Sequence, residues 1–288
     1  MKVLHYTLIA SLLFSLSACS LFSHEKGDQD NTSAEVLYKE GKSSMEAGDY
    51  KTAIQKFETL EARYPFGHYA QQALLETAYA YYRFDEADSA ISTADRFIKL
   101  YPRQEHVDYA YYLRGLASYN LSKSFLDRVF SVDLSERDPK RARQSFQYFS
   151  ELVQRFPNSK YADDAIQRMI YLKNSLAAYE VYVADYYLKR GAYLAAANRG
   201  KYVVDNYDRT PAVPDALNVM IKAYEKMGLT QLANDTKRIL DMNYPDKPAP
   251  TPSSEQAQPT ATPSAAPSPG MAPPVKDTPP PAIKDQQQ

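Results

Sequence analysis

The sequence predicts an all-α fold: a solenoid of five stacked helix–turn–helix repeats, with a tether before it and a proline-rich tail after it. Three observations predict it. Between Ala34 and Pro245 apolar residues recur at three- and four-residue spacings, the period of a helix with one buried face. Glycines are few, 9 in 288 residues. One pattern of small, aromatic and proline residues returns five times in a single frame, the mark of a repeat architecture.

The chain begins with a positive Lys2 and an apolar run from Val3 to Leu16, too short for the ~20 residues of a membrane-spanning helix but suited to a signal peptide over residues 1–18. Leu16-Ser17-Ala18-Cys19 resembles the bacterial lipobox, whose cysteine receives a diacylglycerol and an N-acyl chain. Cys19 is the only cysteine, which excludes an intrachain disulfide and a cysteine-based zinc site. Several acyl chains anchor firmly where one is marginal. Ser20 stands where enterobacterial lipoproteins kept in the inner membrane carry aspartate, so the expectation is the outer membrane of a Gram-negative cell, facing the periplasm. Residues 19–33 form the lipidated cysteine and a polar tether.

The repeats follow over residues 34–245, with an N-terminal half of about 34–120 and a C-terminal half of about 140–245. Gly48-Asp49-Tyr50 leads to Ala53, Phe57, Leu60, Tyr64 and Pro65. The frame returns as Ala90, Ala94, Phe97, Tyr101 and Pro102, then as Ser145, Phe149, Leu152, Phe156 and Pro157. Its last copies are Gly191, Ala196, Gly200, Val203, Tyr207 and Asp208, and Gly228, Ala233, Leu240, Tyr244 and Pro245. The pattern resembles the tetratricopeptide (TPR) unit: small residues let the second helix of a pair approach its neighbour, and proline stops that helix. The middle repeats carry insertions. One lies between Tyr119 and Arg141. The other lies within Tyr161–Arg190, which reads as one helix of nearly thirty residues, about 45 Å long, or as two with a break near Ala177–Glu180.

Residues 246–288 hold 12 of the 19 prolines and predict disordered, extended polyproline II segments. The simplest role is a solvated appendage; a proline-motif ligand or a spacer near the cell wall are the alternatives.

Chemistry is sparse. No metalloprotease, nucleophile-elbow or phosphate-loop motif occurs, and His68 and His106 read as helix-start residues rather than metal ligands. A net charge of −1 gives no reason to expect a nucleic-acid partner, whose phosphates need a basic face. The expectation is a non-enzymatic binding surface that needs no metal or cofactor. With Gly41, Ala78 and Gly115 as the small residues of the first three leading helices, Tyr38, Leu75, Tyr79, Tyr82, Tyr112 and Tyr119 turn toward the concave face. Lys42, Gln72 and Arg83 lie beside them. Each tyrosine also reads as inter-repeat packing, since its ring is apolar and its hydroxyl can sit at an edge. As a group they suit an extended peptide with aromatic side chains and a free carboxylate.

From Leu16 to about Pro245 the chain resembles the BamD family, the TPR lipoproteins of the outer-membrane β-barrel assembly (BAM) machine. The resemblance rests on the lipobox and tether, on LYKEGKSSMEAGDYKTAIQKFETLEARYPFGHYAQQA, on SVDLSERDPKRAR and on FPNSKYADDAIQRMIYLKNSLAAYE. It implies help in folding and inserting β-barrel proteins without ATP. The N-terminal repeats would receive unfolded barrel substrates. The C-terminal repeats would dock on the last POTRA domain of BamA, and BamC and BamE would bind the edge and C-terminal end. Asn198-Arg199 matches a family interface position, so Arg199 is the expected salt-bridge partner of a BamA carboxylate. The long proline-rich tail departs from the enterobacterial pattern. Another periplasmic TPR lipoprotein, a secretin pilotin or a CpoB-like envelope coordinator, is the competing reading.

Overall fold

A computed structural model describes residues 32–121, 139–246 and 278–283. Cys19, the signal peptide and most of the tether and the tail lie outside the described residues. Ten helices form among those described: α1 Ala34–Glu46, α2 Tyr50–Arg63, α3 His68–Arg83, α4 Ala87–Leu100, α5 Val107–Leu121, α6 Lys140–Arg155, α7 Ala162–Lys189, α8 Tyr193–Asn206, α9 Val213–Lys226 and α10 Thr230–Asn243. Each packs on the next, and the leading helices α1 and α3, α3 and α5, and α7 and α9 also touch. This is the expected array of five hairpins, each covering an apolar face its neighbour cannot hide alone.

The local signals act as their chemistry dictates. The Ser33 and Asp49 side chains cap α1 and α2 by accepting from the Val36 and Thr52 backbone N–H groups. The turn inside a hairpin requires a positive φ, met by Gly48 at 80° and, in the second hairpin, by Asp85 at 61°, one of the few side chains that tolerate it. Tyr64, Tyr101, Phe156 and Tyr244 each precede a proline and leave the helical region, with φ between −127° and −139°. Each still donates its N–H to the last turn, to Leu60, Phe97, Leu152 and Leu240 respectively. Tyr207, followed by Asp208 instead of proline, stops α8 in the same way.

The small and aromatic positions of the repeat interlock. Phe57, Phe97 and Phe149 are fully buried, as are Ala53, Ala90 and Ala196. Ser145 holds the alanine place in the third hairpin and satisfies its hydroxyl on the Gly115 carbonyl at 3.1 Å. A Cβ on Gly115 would stand 2.5 Å from the Phe149 ring, and one on Gly41 would stand 2.5 Å from the Phe57 ring. Gly115→Ala therefore forces a rigid, enclosed ring to move. Overpacking of about 1–3 kcal/mol outweighs the roughly 1 kcal/mol that alanine gains over glycine in a helix. A lower urea midpoint is expected, and an unchanged or higher one would mean that the ring yields freely.

Residues 162–189 form one unbroken helix of 28 residues, which decides between the one-helix and two-helix readings. Residues 122–138, the heart of the first insertion, lie outside the described residues. The tail departs from the expectation of a solvated appendage at one place: Thr278–Ile283 lies against α3 and the start of α5, with Pro280 and Ile283 buried. Among the described residues, no helix is long and apolar enough to cross a membrane.

Candidate peptide-binding face

Helices α1, α3 and α5 line the concave side of the first three hairpins, and their inward side chains divide into a polar rim and an enclosed aromatic layer. At the rim, Glu76 of α3 is almost completely buried. It accepts from Lys42 Nζ at 3.0 Å, from Gln72 Nε2 at 3.1 Å and from the Tyr38 hydroxyl at 3.3 Å. Burial holds the Glu76 carboxyl above its ordinary value of 4.5, against the pull of Lys42, Gln72 and Tyr38. The folded protein then binds this proton more tightly than the unfolded chain. The group supports folding fully below 4.5, and that support is lost as pH rises through the raised folded value. Glu76→Gln is expected to flatten the pH dependence of the melting temperature above 4.5. An unaltered slope would show that this buried carboxyl is not its source.

The aromatic layer answers the question the sequence left open. Tyr38 and Lys42 sit at the rim, half-buried, and Leu75 is enclosed. Tyr79 and Tyr82 form a tilted pair 6.3 Å apart, nearly covered in the structure with the tail in place. Arg83 donates to the Tyr79 hydroxyl at 3.0 Å and lies 5.0 Å from the Tyr50 ring centre. Tyr112 and Tyr119 are inter-repeat packing. Tyr112 stacks on Tyr161 at 4.8 Å and donates to Asp164 at 2.7 Å, while Tyr119 meets the edge of Tyr171 and lies beneath the Arg168 guanidinium. Both rings face the fourth hairpin, so the expected trough is shallower than eight side chains would make it.

Two residues outside the expected groove reach the tail. Tyr109 donates its hydroxyl to the Thr278 carbonyl at 2.8 Å, and His106 Nε2, in the tautomer protonated there, donates to the Ala282 carbonyl at 3.1 Å. Gln72, noted only as a neighbour, uses both ends of its amide. Nε2 donates to the Pro281 carbonyl at 3.1 Å, and Oε1 accepts from the Ile283 N–H.

Far along the array, Glu180 of α7 is fully buried and receives two arginines. Arg143 donates at 2.9 Å and Arg199 at 2.7 Å. Arg199 is thus engaged within its own chain, while 44 % of its side chain stays exposed on the C-terminal half. Among the described residues no three histidines, cysteines or carboxylates gather as a metal site.

Comparison with known proteins adds a lineage to this geometry. The family of outer membrane lipoproteins called YfiO matches residues 30–239, from the tether to the last helix. The chain belongs to this family, known also as BamD. Its BamD relatives include the outer membrane protein assembly factor BamD of Neisseria meningitidis serogroup A, 46 % identical over 84 % of this chain and 91 % of that protein. The Vibrio cholerae factor is 40 % identical over 72 % of this chain and 86 % of its own length. That of Haemophilus influenzae is 36 % identical over 82 % and 90 %. The BamD match therefore takes in all five hairpins, including the concave face and the Glu180–Arg199 pair.

Proposed function

We propose that this chain is a non-enzymatic scaffold of the β-barrel assembly machine, which receives unfolded barrel proteins on its N-terminal hairpins and docks on BamA through its C-terminal ones. One observation carries the reading: the match to a family whose relatives are named outer membrane protein assembly factors runs through every hairpin of the array. Association with the outer membrane follows from the same membership. An anchor on Cys19 and a periplasmic orientation complete the placement.

A solenoid suits this work. Its concave face offers hydrogen-bonding side chains beside apolar rings over several turns, the arrangement that holds an extended peptide by its backbone. Holding a chain this way needs no cofactor and transfers no group. At the other end, the exposed part of Arg199 offers a cation to a carboxylate on the last POTRA domain of BamA, with BamC and BamE at the edge of the array.

Depletion tests the function. Folded barrel proteins in the outer membrane should fall while other envelope proteins persist, and unchanged barrel levels would refute the reading. A photo-crosslinking residue in place of His106, on the concave face, should capture an unfolded barrel protein. The same residue in place of Tyr202, exposed on α8, should not. Equal capture at both places would remove the groove from the account.

A further inference from the structure

The six residues Thr278–Ile283 read TPPPAI, and three features show a fitted ligand rather than a chance contact. Burial follows a period of three: Pro280 and Ile283 are buried, Pro279 and Ala282 exposed, Thr278 and Pro281 between. That is the period of a polyproline II helix, which turns one residue in three toward its support. Prolines have no N–H, so recognition of such a segment falls on its carbonyls. Those of Thr278, Pro281 and Ala282 receive hydrogen bonds from Tyr109, Gln72 and His106. The one N–H contacted, that of Ile283, goes back to the same Gln72, so a single side-chain amide, itself 4 % exposed, reads two backbone groups as a neighbouring strand would. Ile283 finally joins the hydrophobic core of the array.

We propose that the concave face between α3 and α5 is a binding site for polyproline II peptides ending in an aliphatic residue, and that its resident ligand is the chain's own Thr278–Ile283, bound in cis. The inference rests on the proposed function only for the identity of the rival ligand, an unfolded barrel segment that would have to displace the tail. The seat itself is defined by Gln72, His106 and Tyr109. A tethered segment is present at an effective concentration on the order of 1 mM. With a dissociation constant for the free peptide of about 0.1 mM, it would weaken any competitor about tenfold.

The test uses the full chain carrying Ile283→Asp, which places a charge where the core accepts an aliphatic side chain and leaves the ten helices untouched. A fluorescent peptide of residues 274–288 should bind this variant saturably, and bind the unaltered chain about tenfold more weakly. Adding His106→Ala to the variant should weaken binding, and the same peptide with Ile283→Asp should not bind. Absence of binding to the Ile283→Asp chain overturns the proposal, as does equal binding to both chains. Sedimentation should find the unaltered chain monomeric, and a dimer lost on Ile283→Asp would overturn docking in cis. A second labelled peptide, from the last strand of a barrel protein, separates the two ideas. If the tail peptide binds and the barrel peptide does not, the tail site stands and the groove's role in the proposed function falls. If only the barrel peptide binds, the tail site falls.

Discussion

Arg168→Met is expected to cost about 3–5 kcal/mol of stability, the range for stripping one partner from a buried ion pair. Arg168 is fully buried in α7, with Nε donating to Asp164 at 2.6 Å and its guanidinium 5.0 Å from the centre of the Tyr119 ring. Asp164, itself mostly buried, also accepts from Tyr112. Removing the cation strands a carboxylate inside the junction of the third and fourth hairpins. For a chain of this size each kcal/mol corresponds to roughly 2–4 °C in melting temperature, so a fall of about 6–20 °C is expected. Pairing it with Asp164→Asn removes both charges and should restore most of the loss. A single variant that melts within a degree of the unaltered protein would show that the pair is energetically silent.

Arg199→Glu carries the second large effect, and it changes how a partner contact must be tested. Charge reversal here brings a second carboxylate to within reach of Glu180, which is fully buried and keeps only Arg143 as its cation. A loss of about 3 kcal/mol is expected from the fold alone. Failure of the reversed variant to co-purify with BamA would therefore not distinguish a lost contact from a loosened α7–α8 hairpin. Arg199→Lys separates the two. It retains the cation beside Glu180 but cannot offer the planar fork that pairs with a carboxylate in two bonds. It should melt close to the unaltered protein while weakening BamA binding. Full binding by a folded lysine variant would count against Arg199 as the contact.

The hairpins were legible in the sequence because their packing is written in residue sizes. Alanine at 53, 90 and 196, phenylalanine at 57, 97 and 149, and an aromatic residue before proline at four helix ends leave little freedom in how the array stacks. The concave face was less legible. A leading helix packs against its own partner and against the leading helices beside it, so α5 is apolar nearly all round and its period does not say which tyrosines face out. Tyr112 and Tyr119 turned to the next hairpin because Tyr161 and Tyr171 wait there, rings more than forty residues distant in sequence. Arg199 was legible as a cation at a helix surface, but its partner Glu180 lies in another helix. The seat of the tail was hidden for a different reason. Proline-rich segments carry neither a helical nor a strand period, and a lone histidine at a helix start has no motif around it.

The continuous helix α7 has a mechanical consequence. Near its start, Asp164 and Arg168 lock onto Tyr112 and Tyr119 of α5; twelve residues later, about 18 Å along the axis, Glu180 clasps Arg199 of α8. Repeat arrays that communicate only between adjacent units can melt piecemeal from their ends. A single rod spliced across the midpoint removes the weak seam where such an array would otherwise come apart, and so the two halves should lose their structure together.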